Sequence, residues 1–407
     1  MDEEGIIDFN LPVNNTHIIK VIGVGGGGGN AVRTMYKQGI KDVSFAICNT
    51  DSQALWNSEI PVKVQLGKKG LGAGGNPERA KSAAEESMES IKALFEDQTK
   101  MVFITAGMGG GTGTGAAPII AKAAKEKGIL TVGIVTIPFY FEKKPQIIKA
   151  FKGVEEMRKS VDSLLVINNE RLRDIYTDGI TTAKEAFAKA DDILTTATKG
   201  IAEIITNVGV ISRDFCDVET VMKEGGNALM TIGKASGENR LQHAILNALH
   251  SPLLNDSNIE NARKILFIIY TSPEYALLID EMEQLDAFME ELNQDIEVAW
   301  GLYDDETLGA DVKITIIATG FEEEWKDAPS SDKYEGLIDR YYKNRHASRK
   351  REDPVPEPEP VPSGVVPGEQ PAPVEPEKKP SPPEDSPVQP SLIERIKKRF
   401  EMIIEEM

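Results

Sequence analysis

The sequence predicts an α/β protein. A Rossmann-like domain on a parallel sheet is joined by a long central helix to a smaller α+β domain, with a disordered tail behind it. Three observations carry this reading. Apolar runs without polar alternation, such as Met101-Val102-Phe103-Ile104 and residues 129–137, read as strands buried on both faces, with helical stretches between them. Two strands run straight into glycine-rich turns that open helices, at residues 23–30 and 107–115. Finally, Phe187, Ala190, Leu194, Ala197, Ile201 and Ile204 recur every three or four residues, the buried stripe of one long helix.

A chain of 407 residues can hold two domains with sizeable cores. Lys and Arg total 46 against 65 Asp and Glu, a formal charge of -19, so no nucleic-acid partner is expected. Cys48 and Cys216 stand far apart with no CxxC, which suits a reducing compartment and two buried thiols. The four histidines show no metal-ligand spacing, so no protein-built metal site is expected. The acidic Met1-Asp2-Glu3-Glu4 does not resemble a signal peptide, and no run reaches the ~18 apolar residues of a membrane span. A cytoplasmic protein is expected.

In chain order, residues 1–16 read as a flexible acidic lead-in and 17–183 as the first domain. Its strands fall near 18–22, 43–48, 101–104, 129–137 and 163–167. Asn76-Pro77-Glu78 signals the start of a helix running to about Phe95, and residues 145–160 form another. The central helix spans about 182–207, and the segment drawn at 184–217 takes in this helix and an acidic loop holding Asp214 and Asp217. Residues 218–321 form the second domain, with helices near 239–250 and 274–293 and strands near 264–270, 296–301 and 312–318. Residues 322–390 are charged, then crowded with Pro and Glu, and read as a disordered linker with one helical stretch at 334–342. Residues 391–407 form an amphipathic helix opened by Ser391 and Glu394 at capping-box spacing, with Leu392, Ile396 and Phe400 on one face. A short helix on a tether reads as a docking peptide for a protein partner, with direct membrane binding as the competing reading, which Glu401, Glu405 and Glu406 weaken.

The chemistry gathers at the glycines. Residues 107–115 hold six glycines in nine positions, so main-chain N–H groups can close around an anion where a helix begins. The helix end adds roughly half a positive charge. Gly23-x-Gly25-x-x-Gly28 also satisfies a dinucleotide fingerprint, which leaves an NAD-dependent oxidoreductase as one alternative. Two glycine turns at neighbouring strand ends suit a di- or triphosphate better. A P-loop is absent, because Gly67-Lys68-Lys69 and Gly233-Lys234-Ala235 lack its spacing and hydroxyl residue.

Ile19-Lys20-Val21-Ile22-Gly23-Val24-Gly25-Gly26-Gly27-Gly28-Gly29-Asn30, the loop at 109–115 and Asp214-Phe215-Cys216-Asp217-Val218 together resemble FtsZ, the bacterial cell-division GTPase family related to tubulin. The resemblance runs collinearly over about residues 17–320 and implies the tubulin/FtsZ fold with GTP or GDP bound. It implies that Gly26, Gly27, Gly107, Gly110, Gly111, Thr112 and Gly113 hold phosphates. Asn30, Asn169 and Asp191 would read guanine, Phe187 would stack on it, and Glu142 would bind the ribose. A carboxylate such as that of Asp191 can accept from both N1–H and the 2-amino group of guanine, a donor pair adenine lacks.

Asp214 and Asp217 would polarise the attacking water in the site of the next subunit, near Mg²⁺ bound mainly through the nucleotide. A helix over 184–207 is about 35 Å long, so one chain's aspartates cannot reach its own phosphates. The implied partners are further copies of the chain, head to tail in a filament. The resemblance also implies a membrane-anchored division adaptor and ring regulators bound through residues 391–407, in a ring at mid-cell. A tubulin-like scaffold that binds GTP without hydrolysing it is the remaining alternative. Three positions depart from the family: Ser212 where Asn is usual, Gln146 where Arg is usual, and a C-terminal peptide without the Pro-aromatic-Leu core.

Overall fold

The computed structural model describes residues 17–40, 42–171, 183–206, 211, 214–251, 259–321, 333–342 and 391–406. The first domain alternates strand and helix, in the order β1 (Ile19–Val24), α1 (Gly25–Lys37), β2 (Val43–Asn49), α2 (Ser52–Trp56), β3 (Val62–Gln65), α3 (Pro77–Glu86) and α4 (Met88–Ala93). It continues through β4 (Met101–Gly107), α5 (Thr112–Glu126), β5 (Leu130–Ile137), α6 (Lys144–Ser160) and β6 (Ser163–Asn168). All pairings among these strands are parallel. Strands β4 and β5 are buried almost throughout, which is why their sequences carry no polar alternation. The single helix expected from 77 to 95 breaks at Ser87, whose hydroxyl accepts the Gly67 N–H at 2.8 Å.

The central helix α7 (Ala183–Thr206) packs against α1 and leads to α8 (Phe215–Met222). Beyond it come β7 (Gly226–Ala235), α9 (Arg240–Leu249), β8 (Lys264–Thr271), α10 (Ile279–Glu291), β9 (Glu297–Asp304) and β10 (Val312–Thr319). Strand β7 is absent from the sequence reading. It pairs in parallel with the start of β6 through Ser163 and Gly226, and antiparallel with β10. One ten-stranded sheet therefore runs through both domains in the order β3-β2-β1-β4-β5-β6-β7-β10-β8-β9. Helix α10 begins at Ile279, since Pro273–Tyr275 is only a 3-10 turn. Cys48 is buried, which pushes its thiol up to about 12, whereas Cys216 is exposed and corrects the expectation of two buried thiols.

Two helices follow the second domain. Helix α11 (Lys333–Tyr342) occupies part of the stretch read as linker and packs on the first domain, with Tyr342 buried. Helix α12 (Leu392–Glu406) lies on α10 of the same chain, burying Leu392, Ile396 and Phe400. Arg395 pairs with Glu260 and Glu291, and Arg399 with Glu290. The face read as a docking surface is therefore covered here by the second domain, at about 1.5–3 kcal/mol per buried side chain. Residues 1–16 and 343–390, including the expected lead-in and the Pro/Glu-rich linker, lie outside the described residues.

Candidate nucleotide site

The site is built where β1 and β4, neighbours in the sheet, each deliver the chain into a helix. Helix α1 follows Val24 and α5 follows Gly111. Neither start has a side-chain cap, and neither first turn carries an acid. Helices α2 and α3 differ. Asp51 accepts the Gln53 and Ala54 N–H groups at the start of α2, and Asn76 accepts those of Glu78 and Arg79 at the start of α3. Two adjacent helix starts are thus left with free donors and unopposed positive ends, the chemistry of an anion site.

The glycines of this site divide into two kinds. A Cβ on Gly28 would stand 2.2 Å from the Thr105 carbonyl oxygen, and one on Gly113 would stand 2.5 Å from that of Gly107. These positions let two helices approach the sheet. Gly26 and Gly110 instead face open space, with nothing within 4 Å of an added Cβ. They leave open space beside the two turns. Between the two turns, a Cβ on Gly27 would lie 3.4 Å from the Gly107 Cα, so these two form the floor. Gly111 rests on the loop at 67–76, where Ala73 would lie 2.8 Å from its Cβ.

Thr112 and Thr50 share a hydroxyl hydrogen bond of 2.7 Å that ties the end of β2 to the start of α5. Thr50 was missed as a site residue. Its signal was position, since Asn49-Thr50-Asp51 sits at the carboxyl end of a parallel strand. The Thr114 hydroxyl accepts the Gly109 N–H at 2.9 Å and so shapes the loop.

The residues expected at guanosine are dispersed in sequence. Asn30 is exposed on α1. Glu142 ends the 3-10 turn Tyr140–Glu142 and is half-buried, with its Oε1 accepting the Phe139 N–H at 3.0 Å. Burial raises its carboxyl above the usual carboxylate value, against the lowering pull of that hydrogen bond. Lys143, directly behind it, holds φ 77 and ψ 153, a region that favours glycine.

Asn169 follows β6 and is 7% exposed, and its Oδ1 is buried without a hydrogen-bond partner. A buried acceptor left unpaired is costly unless a ligand supplies the donor. Asp191 is half-buried in the first half of α7, where its carbonyl accepts the Thr195 hydroxyl at 2.8 Å. Phe187 belongs to the same helix, and its side chain lies outside the described residues.

Asp214 and Asp217 lie elsewhere. Asp214 caps α8, accepting the Asp217 N–H at 3.0 Å, while Asp217 accepts the Asp214 N–H at 3.1 Å. This reciprocal box explains the spacing of three. The pair precedes β7, whose first residue, Gly226, pairs with the first residue of β6. Helix α8 leads from the aspartates to the amino ends of the strands, where the Ser163 hydroxyl donates to the Met222 carbonyl at 2.5 Å, whereas the glycine turns stand at the carboxyl ends of β1 and β4. Ser212 lies outside the described residues. The Gln146 carbonyl would lie 3.1 Å from a Cβ on Gly109, so this residue backs the phosphate turn with its main chain.

Comparison with known proteins identifies the class first. Residues 18–177 match the Tubulin/FtsZ family GTPase domain, and residues 226–322 match the FtsZ family C-terminal domain. The chain is 52% identical over 329 residues to the cell division protein FtsZ of Porphyromonas gingivalis, covering 79% of this chain and 71% of that one. An FtsZ dimer from M. jannaschii, solved empty, superposes with a TM-score of 0.68 at 40% identity, covering 74% of this chain and 88% of that one. CetZ2 from Haloferax volcanii, solved as a GTPγS-bound protofilament, shares the fold at 18% identity, with a TM-score of 0.64 over 82% of this chain and 99% of that one.

The chain belongs to the FtsZ family of cell-division proteins, within the tubulin-like GTPases. That membership favours a guanine nucleotide over the dinucleotide reading of Gly23-x-Gly25-x-x-Gly28. No described helix is long and apolar enough to cross a membrane.

Proposed function

We propose that the chain hydrolyses GTP to GDP and phosphate at a site completed by a second copy, and that it polymerises head to tail into the filaments of a cytokinetic ring at mid-cell. The observation that carries this is the separation of the two halves. Free helix donors lie at one edge of the sheet and the Asp214 and Asp217 carboxylates at the other. Helix α7, about 36 Å long, runs between. Complementary halves on opposite ends make a heterologous contact, which propagates.

In this reading Gly26, Gly27, Gly107, Gly110, Gly111, Thr112 and Gly113 cradle the phosphates. Asn30, Asn169 and Asp191 read the base, with Phe187 against it, and Glu142 takes the ribose. The Asp214 and Asp217 carboxylates, held in place by their mutual cap, would orient a water toward the γ-phosphate of the next subunit. The work is positioning and electrostatics, with no covalent intermediate on the protein. Mg²⁺, held mainly by the nucleotide, would neutralise phosphate charge. Residues 391–407 would serve a membrane-anchored adaptor and ring regulators once released from α10.

Light scattering recorded together with phosphate release tests the proposal. GTP should raise both signals and GDP neither. Scattering without phosphate would leave a non-hydrolysing scaffold, and no response in either channel would defeat the reading.

A further inference from the structure

Helix α11 begins beyond the matched C-terminal domain, which ends at residue 322, and returns to the first domain. Tyr334, Leu337, Ile338 and Tyr341 pack on the core between sheet and helices there. The Tyr342 ring lies 5.5 Å from that of Tyr140, and the Tyr341 ring 5.4 Å from that of Phe151. At its start, the Tyr334 hydroxyl donates to Glu155 at 2.9 Å, and Glu335 pairs with Lys144.

Two hydrogen bonds at the far end of α11 fall beside the guanosine residues. The Tyr342 hydroxyl donates to the Pro138 carbonyl at 2.6 Å, and the Asn168 side-chain amide donates to the Tyr341 carbonyl at 2.7 Å. Pro138 opens the turn in which Phe139 holds the Glu142 carboxylate. Asn168 turns its other end to the Glu170 N–H at 3.0 Å, and Glu170 in turn accepts the Tyr140 N–H at 2.9 Å. Asn169, with its unpaired buried oxygen, lies between Asn168 and Glu170. One connected network thus holds both sides of the base and ribose end. None of these hydrogen bonds reaches the glycine turns, which meet the network only where Gly109 packs against the Pro138 ring.

We propose that residues 333–342 form a strap whose Tyr341 and Tyr342 are positioning residues for the guanosine end of the site, holding Asn169 and Glu142 in place before nucleotide arrives. The inference rests on the nucleotide-site reading above. Side chains already fixed lose less freedom on binding, so the strap raises affinity for guanosine nucleotides specifically.

The test uses the full-length chain and calorimetric binding of GDP and of inorganic pyrophosphate, which fills only the glycine turns. Tyr341→Ala combined with Tyr342→Ala should weaken GDP binding about ten-fold or more and leave pyrophosphate binding unchanged. Tyr342→Phe keeps the ring on Tyr140, loses only the hydroxyl, and should fall between wild type and the double variant. Equal GDP affinity across the three proteins overturns the strap. So does a parallel loss of GDP and pyrophosphate, which would mark general loosening. Where the double variant fails to fold, wild-type GDP affinity in Tyr342→Phe overturns it. A wild-type chain that binds no GDP overturns the nucleotide reading, and the strap with it.

Discussion

Helix starts around the sheet are finished in two different ways. Helix α1 begins with Gly25 and α5 follows Gly111, neither with a side-chain cap, while α8 is opened by two aspartates that cap each other. A capped start is a finished local structure. An uncapped start beside a second uncapped start is unfinished until an anion arrives. The difference teaches where ligand chemistry can sit within one molecule. In the proposed reading the Asp214 and Asp217 carboxylates supply what the glycine turns lack, namely a group to orient water. On the proposed reading each half supplies what the other is missing, and two copies bring them together.

The sharpest way to break the comparison is Asp217→Ala. GTP binding should persist, while turnover falls about 100- to 1,000-fold, in the range seen when one positioned polar group is lost. Phosphate release and nucleotide binding on the same preparation check this, and unchanged turnover would remove Asp217 from the chemistry. Gly110→Val is the counterpart at the other edge. Its side chain would enter the open space beside the turn and should weaken GDP binding about ten-fold, the equivalent of one or two lost hydrogen bonds. Full affinity would place the phosphates elsewhere.

Asp214 separates structure from chemistry. Asn caps a helix as well as Asp does, so Asp214→Asn should keep the melting temperature yet slow turnover, whereas Asp214→Ala should also cost about 1 kcal/mol of stability. A melting curve lowered equally by both changes would mean that the carboxylate charge, not the cap, sets stability there. Smallest of all is Lys143→Gly. Relief of a backbone held at φ 77 should stabilise the chain by about 1 kcal/mol, a rise of roughly 1–2 °C in melting temperature for a chain of this size.

Much of this was legible in the sequence, for identifiable reasons. Uninterrupted apolar runs announced β4 and β5 because both faces of those strands are covered. The glycine turns were legible because a cradle of main-chain donors excludes Cβ atoms. Asp214 and Asp217 stood out by their spacing, although their mutual capping was visible only in the structure.

Strand β7 stayed hidden because Gly226 and Gly233 look like loop residues. Gly233 is there because a Cβ would stand 1.9 Å from the Ala244 carbonyl oxygen, where α9 presses on the strand. The sheet's continuity through both domains depends on that strand. Contacts between residues far apart in the chain were equally invisible. The Thr50 hydroxyl reaches Thr112, and the Tyr342 hydroxyl reaches Pro138, across sequence separations of 62 and 204 residues. Composition marked the region around Tyr342 as charged linker, and the aromatic face of α11 outweighs that signal only once the first domain is there to receive it.

The central claim is that one site takes its two halves from two molecules. Steady-state GTP hydrolysis per subunit, measured across a dilution series, tests it directly. The rate should fall steeply as the protein is diluted and recover on concentration. A rate per subunit that stays constant down to the lowest concentration would contradict the shared site.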